Sequence, residues 1–487
     1  MIILARSNTV EIDKKILAEA TKYIRENEGL KVSQYSYGSP RFSAEFSDCS
    51  MPMTFDSLSR CSLGCQYCFA YFQKSWNPGV VHKAPPLNSV DVEKFKQLVL
   101  GTLPQHGPLD KNWMAFHKYF FNKRFLLHWG GLADPFCNFE RANGISYKLL
   151  DFLGIEAYPT LLSFKGDTIL DKKYEKLMDK FSKQHNFAFQ CSIITADDEL
   201  AKYVEVGVPS PSKRFEILRM LSDMGYWTIL RLRPFIIGIS DRSLDELLEK
   251  ALAAGVRAIS TEFFAIDCRC SEGMHTRYDW LAKLIGTKDL MAYYNALSPA
   301  ERGSYMRLNR DIKEQHIRKI FEFCQKHGLV LGVSDPDFKE LCTSGSCCAM
   351  PDSFPENPEM CNWSTAQLTY HVKNARIAYH KTGEEQYIKF NEVYDNEKWE
   401  HLNIWRFAND YVGVIGLNGA ERQLVTPKRI LQYEWNNLRS PKCPRNYLHG
   451  KVMPAGLDED GNYIFKYTPK PYEQRWAERG IDMTYGG

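Results

Sequence analysis

Between Met51 and Ala265 the chain alternates short β-branched or aromatic runs with stretches whose apolar positions recur at helical spacing. Strands are expected near Met51–Phe55 and at Arg124–Trp129 (RFLLHW), Thr160–Phe164 (TLLSF) and Phe187–Ile194 (FAFQCSII). Two more follow at Tyr226–Ile237 (YWTILRLRPFII) and Arg257–Ala265 (RAISTEFFA). The helices expected between them begin with Val90–Leu103, where Val90, Phe95, Leu98 and Val99 share a face. A second helix carries Tyr147, Leu149, Leu150 and Phe152, and others are expected at Lys172–Gln184, Lys213–Met224 and Leu244–Ala254. Pro209-Ser210-Pro211-Ser212 opens the helix at Lys213, and Gly225 closes it. Six strand–helix units in a row predict parallel strands joined by right-handed crossovers. Six is fewer than the eight of a closed barrel, so the expected class is α/β, a partial (β/α)6 TIM-like barrel.

After Ser271 the pattern changes. Residues 272–327 read as mainly helical, with an amphipathic stretch at Ile312–His327, and LVLGVS (Leu329–Ser334) reads as an extra strand running into a cysteine-rich loop. Beyond Ser364 two turn signals, Asn418-Gly419 and Asp460-Gly461, suggest hairpins in a small α+β appendage. The expected divisions are an N-terminal helical extension (1–48), the barrel (49–271), a helical and cysteine-rich extension (272–364) and a C-terminal α+β region (365–487).

A chain of 487 residues buries a large core, and 44% hydrophobic with 25% charged residues is ordinary for a globular protein. The net charge of +3 is too small to argue for nucleic acid by bulk electrostatics. No apolar stretch is long enough to span a bilayer, and the apolar run in MIILARSNTVEIDKK is too short for a signal peptide. A cytoplasmic location is expected, where the fourteen cysteines stay reduced.

The chemistry concentrates in CSLGCQYC, which spaces Cys61, Cys65 and Cys68 as C-x3-C-x2-C. Three thiolates this close can hold three corners of an iron–sulfur cube, with Gly64 letting the loop tighten. With no fourth cysteine at short range, one iron is left open to a small molecule. A zinc knuckle needs a fourth Cys or His at a second spacing, and the nearest candidate, Cys49, sits awkwardly upstream.

The triplet resembles that of the radical S-adenosylmethionine (SAM) superfamily, and three further stretches resemble spore photoproduct lyase-like proteins. These are LADPFCNFE (Leu132–Glu140), VPSPSKRFEILRMLSDMG and PFIIGISD. The resemblance implies a [4Fe–4S] cluster on Cys61, Cys65 and Cys68, with SAM bound to the open iron. One electron then splits SAM into methionine and a 5′-deoxyadenosyl radical. The residues implied for cofactor binding are Tyr67, Gly130, Gly131, Lys165, Ser192, Arg231 and Arg233. Gly130 and Gly131 would receive the SAM ammonium group, against the plainer reading of a strand-end turn. Lys165 would meet the SAM carboxylate, against that of a solvated surface lysine. Arg231 and Arg233 share one face of their strand and either anchor a carboxylate or phosphate inside the barrel or pair with helices outside it.

The lyases carry a hydrogen-donating cysteine three residues before the aspartate of their stretch. Here that position is Gly131, while Cys137 lies three residues after Asp134, so a relative with different radical chemistry is expected. Cys137, Cys268 and Cys348 are the candidate catalytic thiols. Cys268, Cys270, Cys342, Cys347, Cys348 and Cys361 are candidates for an auxiliary metal centre, against buried thiols or zinc. Cys49, Cys191, Cys324 and Cys443 read as structural.

From Arg422 to Lys451 seven basic residues face one acidic residue, Glu434, with Tyr433, Trp435 and Tyr447 among them. This reads as a nucleic-acid face or as a solvated basic surface over core aromatics. The expected activity is hydrogen abstraction from a modified or damaged pyrimidine in DNA, a lyase- or isomerase-type modification or repair. A flavodoxin- or ferredoxin-type electron donor would serve it. The alternatives are a radical enzyme acting on a peptide or protein with an auxiliary cluster, and a non-enzymatic, zinc-stabilised nucleic-acid-binding protein.

Overall fold

The computed structural model describes residues 17, 18, 21, 29–36, 40–42, 48–51, 53–70, 87–104, 120–122, 124–268, 272–297, 305–354, 368–394 and 427–486. Its centre is an eight-stranded sheet built in chain order. The strands are β1 (Arg41–Phe42), β2 (Met53–Phe55), β3 (Leu127–Trp129), β4 (Thr160–Phe164), β5 (Phe187–Ser192), β6 (Trp227–Phe235), β7 (Ala258–Phe263) and β8 (Val330–Val333). Every pair is parallel except β1 with β2. The crossover helices are α1 (Val92–Val99), α2 (Ile145–Ile155), α3 (Lys172–Phe181), α4 (Pro211–Asp223), α5 (Leu244–Ala253) and α6 (Arg310–His327). Right-handed crossovers between sequential neighbours put all six helices on one face of an open, curved sheet.

The six expected strands are β2 to β7. The stretch at Leu329–Ser334 adds β8 as a seventh parallel strand, pairing Val330 with Ala258 and Val333 with Thr261. Helix α4 starts where the proline–serine run predicts, with Pro211 in its first turn and Ser210 Oγ accepting from Lys213 N. The stretch read as a helical extension has helical residues 17, 18 and 21, together with two short strands, Gln34–Ser36 and β1.

The sheet's two faces differ in chemistry. Leu127, Trp129, Leu162, Phe164, Phe187, Phe189, Leu230 and Leu232 point outward into the main core with Leu149, Leu150, Met178, Leu218 and Leu221 of the helices. Alternate residues point inward. Lowest on that side, Met51, Leu126, Leu161, Ala188, Ile229 and Ala258 form a separate apolar cluster with Cys348, Ala349, Met350 and Phe354. The cysteine-rich segment after β8 is therefore a plug that fills the barrel's lower mouth. Three inward side chains hold its backbone: Gln190 Nε2 donates to Cys348 O (3.1 Å), Trp227 Nε1 to Ala349 O (3.3 Å) and Ser260 Oγ to Cys347 O (3.0 Å).

The C-terminal region carries a helix, Leu368–Thr382, and a three-stranded antiparallel sheet in the order Tyr387–Ile388, Tyr463–Tyr467, Val452–Leu457. The turn at Asp460-Gly461 joins its last two strands, with Gly461 at φ +77°. The turn expected at Asn418-Gly419 lies outside the described residues. No described helix is long and apolar enough to cross a membrane.

Candidate active site at the strand ends

A cavity of about 410 Å³ opens at the C-terminal ends of the strands. Its wall includes Cys61, Cys65, Tyr67, Cys68, Gly130, Gly131, Asp134, Lys165, Ser192, Arg231 and Arg233. The triplet and all seven residues singled out for cofactor binding therefore meet around one space, although they come from five different strand ends.

The cysteine loop is pinned by a residue the sequence reading passed over. Glu205 belongs to a two-residue strand whose backbone pairs Glu205 with Cys65 and Val206 with Gly64. Its carboxylate accepts from Tyr67 Oη and from Arg214 of α4, and Lys165 Nζ lies 3.4 Å away. Burial opposes its charge, but Arg214 and then Lys165 hold the carboxyl below its usual range. Arg214 also donates to the carbonyl of Ser192, tying α4 to the end of β5. From another side Arg277 Nη1 donates to Cys65 O at 2.7 Å. Lys165 is thus no solvated surface lysine: it lies 5.4 Å from the Tyr67 ring centroid and bridges the loop to Glu205.

The two glycines after β3 differ. Gly130 has φ +92°, and a Cβ there would meet Ser163 O at 2.2 Å, so the turn itself demands glycine. A Cβ on Gly131 would meet no protein atom closer than 3.7 Å, and the residue lines the cavity. Asp56 fixes the turn by accepting from Leu132 N and Ala133 N, each at 2.8 Å, and from Arg41 at 2.8 Å. Asp134 accepts from Phe136 N (2.8 Å), Lys165 N and Gly166 N (3.0 Å), locking this loop to the end of β4.

Below the cavity lies a polar layer. His128 Nε2 meets Ser163 Oγ at 2.8 Å, Ser163 Oγ donates to Gln190 Oε1 at 2.9 Å, and Arg231 Nη1 donates to both (3.0 and 2.8 Å). Burial, with Arg231 next, pushes His128 down to about 3, so the imidazole is neutral.

The candidate catalytic thiols separate. Cys137 is buried, and its thiol hydrogen-bonds with that of Cys61, beside the triplet. Cys268 is exposed and does not line the cavity, because the chain after β7 turns aside to pair Ile266–Asp267 with Tyr305–Met306. Cys348 lies in the plug, its Sγ 4.0 Å from Arg233 Nη1.

The proposed auxiliary set does not come together among the described residues. Cys342 bonds the backbone of Val333 on β8, Cys347 and Cys348 share the plug, and Cys268 is exposed. Cys270 and Cys361 lie outside the described residues. Also among the described residues, no three His, Cys, Asp or Glu side chains converge as they would around a single metal ion. Cys61, Cys65 and Cys68 all line the cavity. Burial pushes the Cys65 thiol up to about 12, with Lys165 opposing, so it needs a cationic partner to become a thiolate.

The basic C-terminal stretch is partly interior. Lys451 is buried and paired with Glu340, and Trp435 packs among Phe390, Tyr394 and Phe465. Tyr433, Arg439 and Arg445 remain at the surface, while Arg422 lies outside the described residues.

No protein-family model and no curated protein sequence matches this chain. Solved structures similar to it include a point mutant of spore photoproduct lyase, 15% identical over 66% of this chain and 85% of that one (TM-score 0.44). Another is a spore photoproduct lyase double mutant with bound AdoMet and a dinucleoside spore photoproduct, 15% identical over 66% and 85% (TM-score 0.42). Streptococcus suis SuiB bound to S-adenosylmethionine is 10% identical over 88% and 81% (TM-score 0.38). Likeness at this level assigns no chemistry to the chain; the residues themselves must carry that argument.

Proposed function

We propose that this protein is a radical SAM enzyme whose substrate is a modified or damaged pyrimidine nucleotide in DNA. The observation that carries the reading is the convergence of Cys61, Cys65 and Cys68 with Gly131 on one cavity at the strand ends. With a [4Fe–4S] cluster on the three thiolates and SAM bound, the site would be supplied with a 5′-deoxyadenosyl radical able to take hydrogen from a substrate carbon.

The chain's own residues do the positioning. Glu205, Tyr67, Arg214 and Arg277 hold the cysteine loop in one shape. Gly131 offers backbone without a side chain, and Ser192 and Lys165 add polar groups to the same wall. The plug fills the lower mouth of the barrel with an apolar cluster. A nucleotide is supported by the cationic lining of Arg231, Arg233 and Arg307 and by Phe69 and Tyr305, which are 59% and 48% exposed on the cavity wall. Exposed aromatic faces stack on bases, and guanidinium groups take phosphates.

The test is anaerobic reconstitution followed by iron and sulfide quantification and assay of 5′-deoxyadenosine. About four irons and four sulfides per chain are expected, with SAM cleavage that Cys65→Ala abolishes while the protein stays folded. Zinc in place of iron, or unfolding of Cys65→Ala, would overturn the reading. For the substrate, deuterium passing from labelled pyrimidines in DNA into 5′-deoxyadenosine is expected; unchanged nucleosides across lesion-bearing DNAs would reject DNA as the substrate.

A further inference from the structure

Arg231 is a cation in the cavity wall that neutral groups hold. It rises from the middle of β6, and among the described residues its hydrogen bonds go only to Ser163 Oγ and Gln190 Oε1, both neutral. Among the described residues no carboxylate pairs with it. The imidazole in the same layer is neutral as well. The next inward residue on the strand, Arg233, adds a second guanidinium, of which Nε is buried without a partner. Arg233 has one carboxylate, Glu262, at 3.9 Å, but that side chain is 49% exposed and faces solvent as much as the arginine. Its other polar contacts are Cys347 O and the Cys348 thiol. Arg233 is partly compensated by the Cys347–Cys348 thiol pair and by Glu262, whereas Arg231, bonded to neutral groups, is a costly charge for a protein interior unless an anion completes it.

The surroundings restrict the shape of that anion. Both arginines line the cavity, and directly beneath them the plug segment fills the barrel against Leu161, Ala188, Ile229 and Ala258. A group that reaches the arginines from the open mouth cannot continue out through the floor. An internal phosphodiester, with chain leaving on both sides, does not suit such a dead end. The end of a molecule does.

We infer that Arg231 and Arg233 form a substrate subsite for a terminal oxyanion, a phosphate monoester or a carboxylate, rather than a cofactor contact. Guanidinium forks bind either group through paired hydrogen bonds. The inference rests on the cavity being the substrate site proposed above, and it replaces an internal position in DNA with a strand end or a free nucleotide that enters by its charged group.

Isothermal titration calorimetry on the full chain tests this with three probes: thymidine 5′-monophosphate, orotate and uncharged thymidine. At least tenfold tighter binding of one charged probe than of thymidine is expected. Preference for thymidine 5′-monophosphate assigns a phosphate, and preference for orotate a carboxylate. Arg231→Gln should erase the preference, while Arg231→Lys, which keeps the charge, should retain part of it; thermal melting checks that both fold. SAM affinity of the reconstituted protein should be the same in all three forms. Equal affinity for charged and uncharged probes would overturn the inference. So would a loss of SAM affinity matching the loss of anion affinity, because the arginines would then belong to the cofactor. Iron content and SAM cleavage, measured separately, report on the radical reading, so a chain that selects the anion but holds no cluster keeps the subsite and loses that reading.

Discussion

Glu205 carries more of the site than any cysteine does alone. It is a single carboxylate, 1% exposed, that answers Arg214, Lys165 and the Tyr67 hydroxyl at once. Replacing it with glutamine leaves two cations in the interior without their counter-charge, a loss of about 3–5 kcal/mol by analogy with other broken buried pairs. Glu205→Gln is therefore expected to lower the denaturation midpoint strongly and to reduce iron uptake, since the cysteine loop loses its clamp; a variant with unchanged midpoint and iron content would refute the assignment. Because its folded-state pKa is depressed, the residue's stabilising contribution is present above the usual carboxylate range and is lost as pH falls through the lowered value. Glu434 behaves oppositely. Burial raises its carboxyl to about 7, with Lys442 3.5 Å away resisting. The folded protein holds that proton more tightly than the unfolded chain, so stability declines as pH rises from about 4.5 to about 7. Glu434→Gln should flatten this slope and melt higher than the parent at pH 8, as differential scanning calorimetry across pH would record. Neither glutamate was legible in the sequence. The cysteines announce themselves by spacing, whereas Glu205 acquires meaning only when a two-residue strand pairs across 140 residues of separation with Cys65.

At the level of elements, two adjacent glycines make different demands. Gly130 combines positive φ with a backbone oxygen 2.2 Å from any added Cβ, so Gly130→Ala must move β4 or break the turn. A loss of about 2 kcal/mol or more is expected, visible in urea denaturation. Gly131→Ala has room beside Arg41 and Thr54 and should fold with nearly parental stability, but it adds a methyl group to a residue that lines the cavity. The expected signature is a pair of opposite results: Gly130→Ala unstable, and Gly131→Ala stable with SAM affinity reduced about tenfold or more. If Gly131→Ala bound SAM normally, its backbone would not be the ligand contact. The strands and crossover helices were readable because inward and outward burial stamps a period on the sequence, and β4 begins and ends where TLLSF does. The plug was not readable. Its segment has no period, and its cysteines suggested a metal centre. What places it is a set of single contacts from Gln190, Trp227 and Ser260, each on a different strand.

The whole molecule is fastened by buried charges between the barrel's last segment and the C-terminal region. Lys339 pairs with Asp48 at 2.6 Å, and Asp48 also accepts from Thr369 N and Oγ1. Lys313 lies between Asp335 (2.9 Å) and Asp337 (2.8 Å), and His449 Nδ1 meets Asp337 at 2.7 Å. Deepest of all, Lys451 pairs with Glu340, which also accepts from Tyr472 Oη. These contacts explain why the run from Arg422 to Lys451 misleads as a basic surface: a lysine counted as solvated charge is spent on an interior carboxylate. Buried pairs of this kind separate two quantities that are easily confused. Burial holds Lys451 well below the usual lysine range, so removing one member leaves an unmet buried polar group rather than a full charge, and Lys451→Met alone should destabilise by about 1–3 kcal/mol, with Glu340→Met similar. Removing both leaves an apolar contact between Phe338 and Tyr472, whose rings are 5.4 Å apart, and should recover most of that loss. A double-mutant cycle followed by guanidinium denaturation measures the coupling directly. Strictly additive losses would mean that Lys451 and Glu340 do not act on each other, leaving contacts such as His449 with Asp337 to tie the C-terminal region to the barrel.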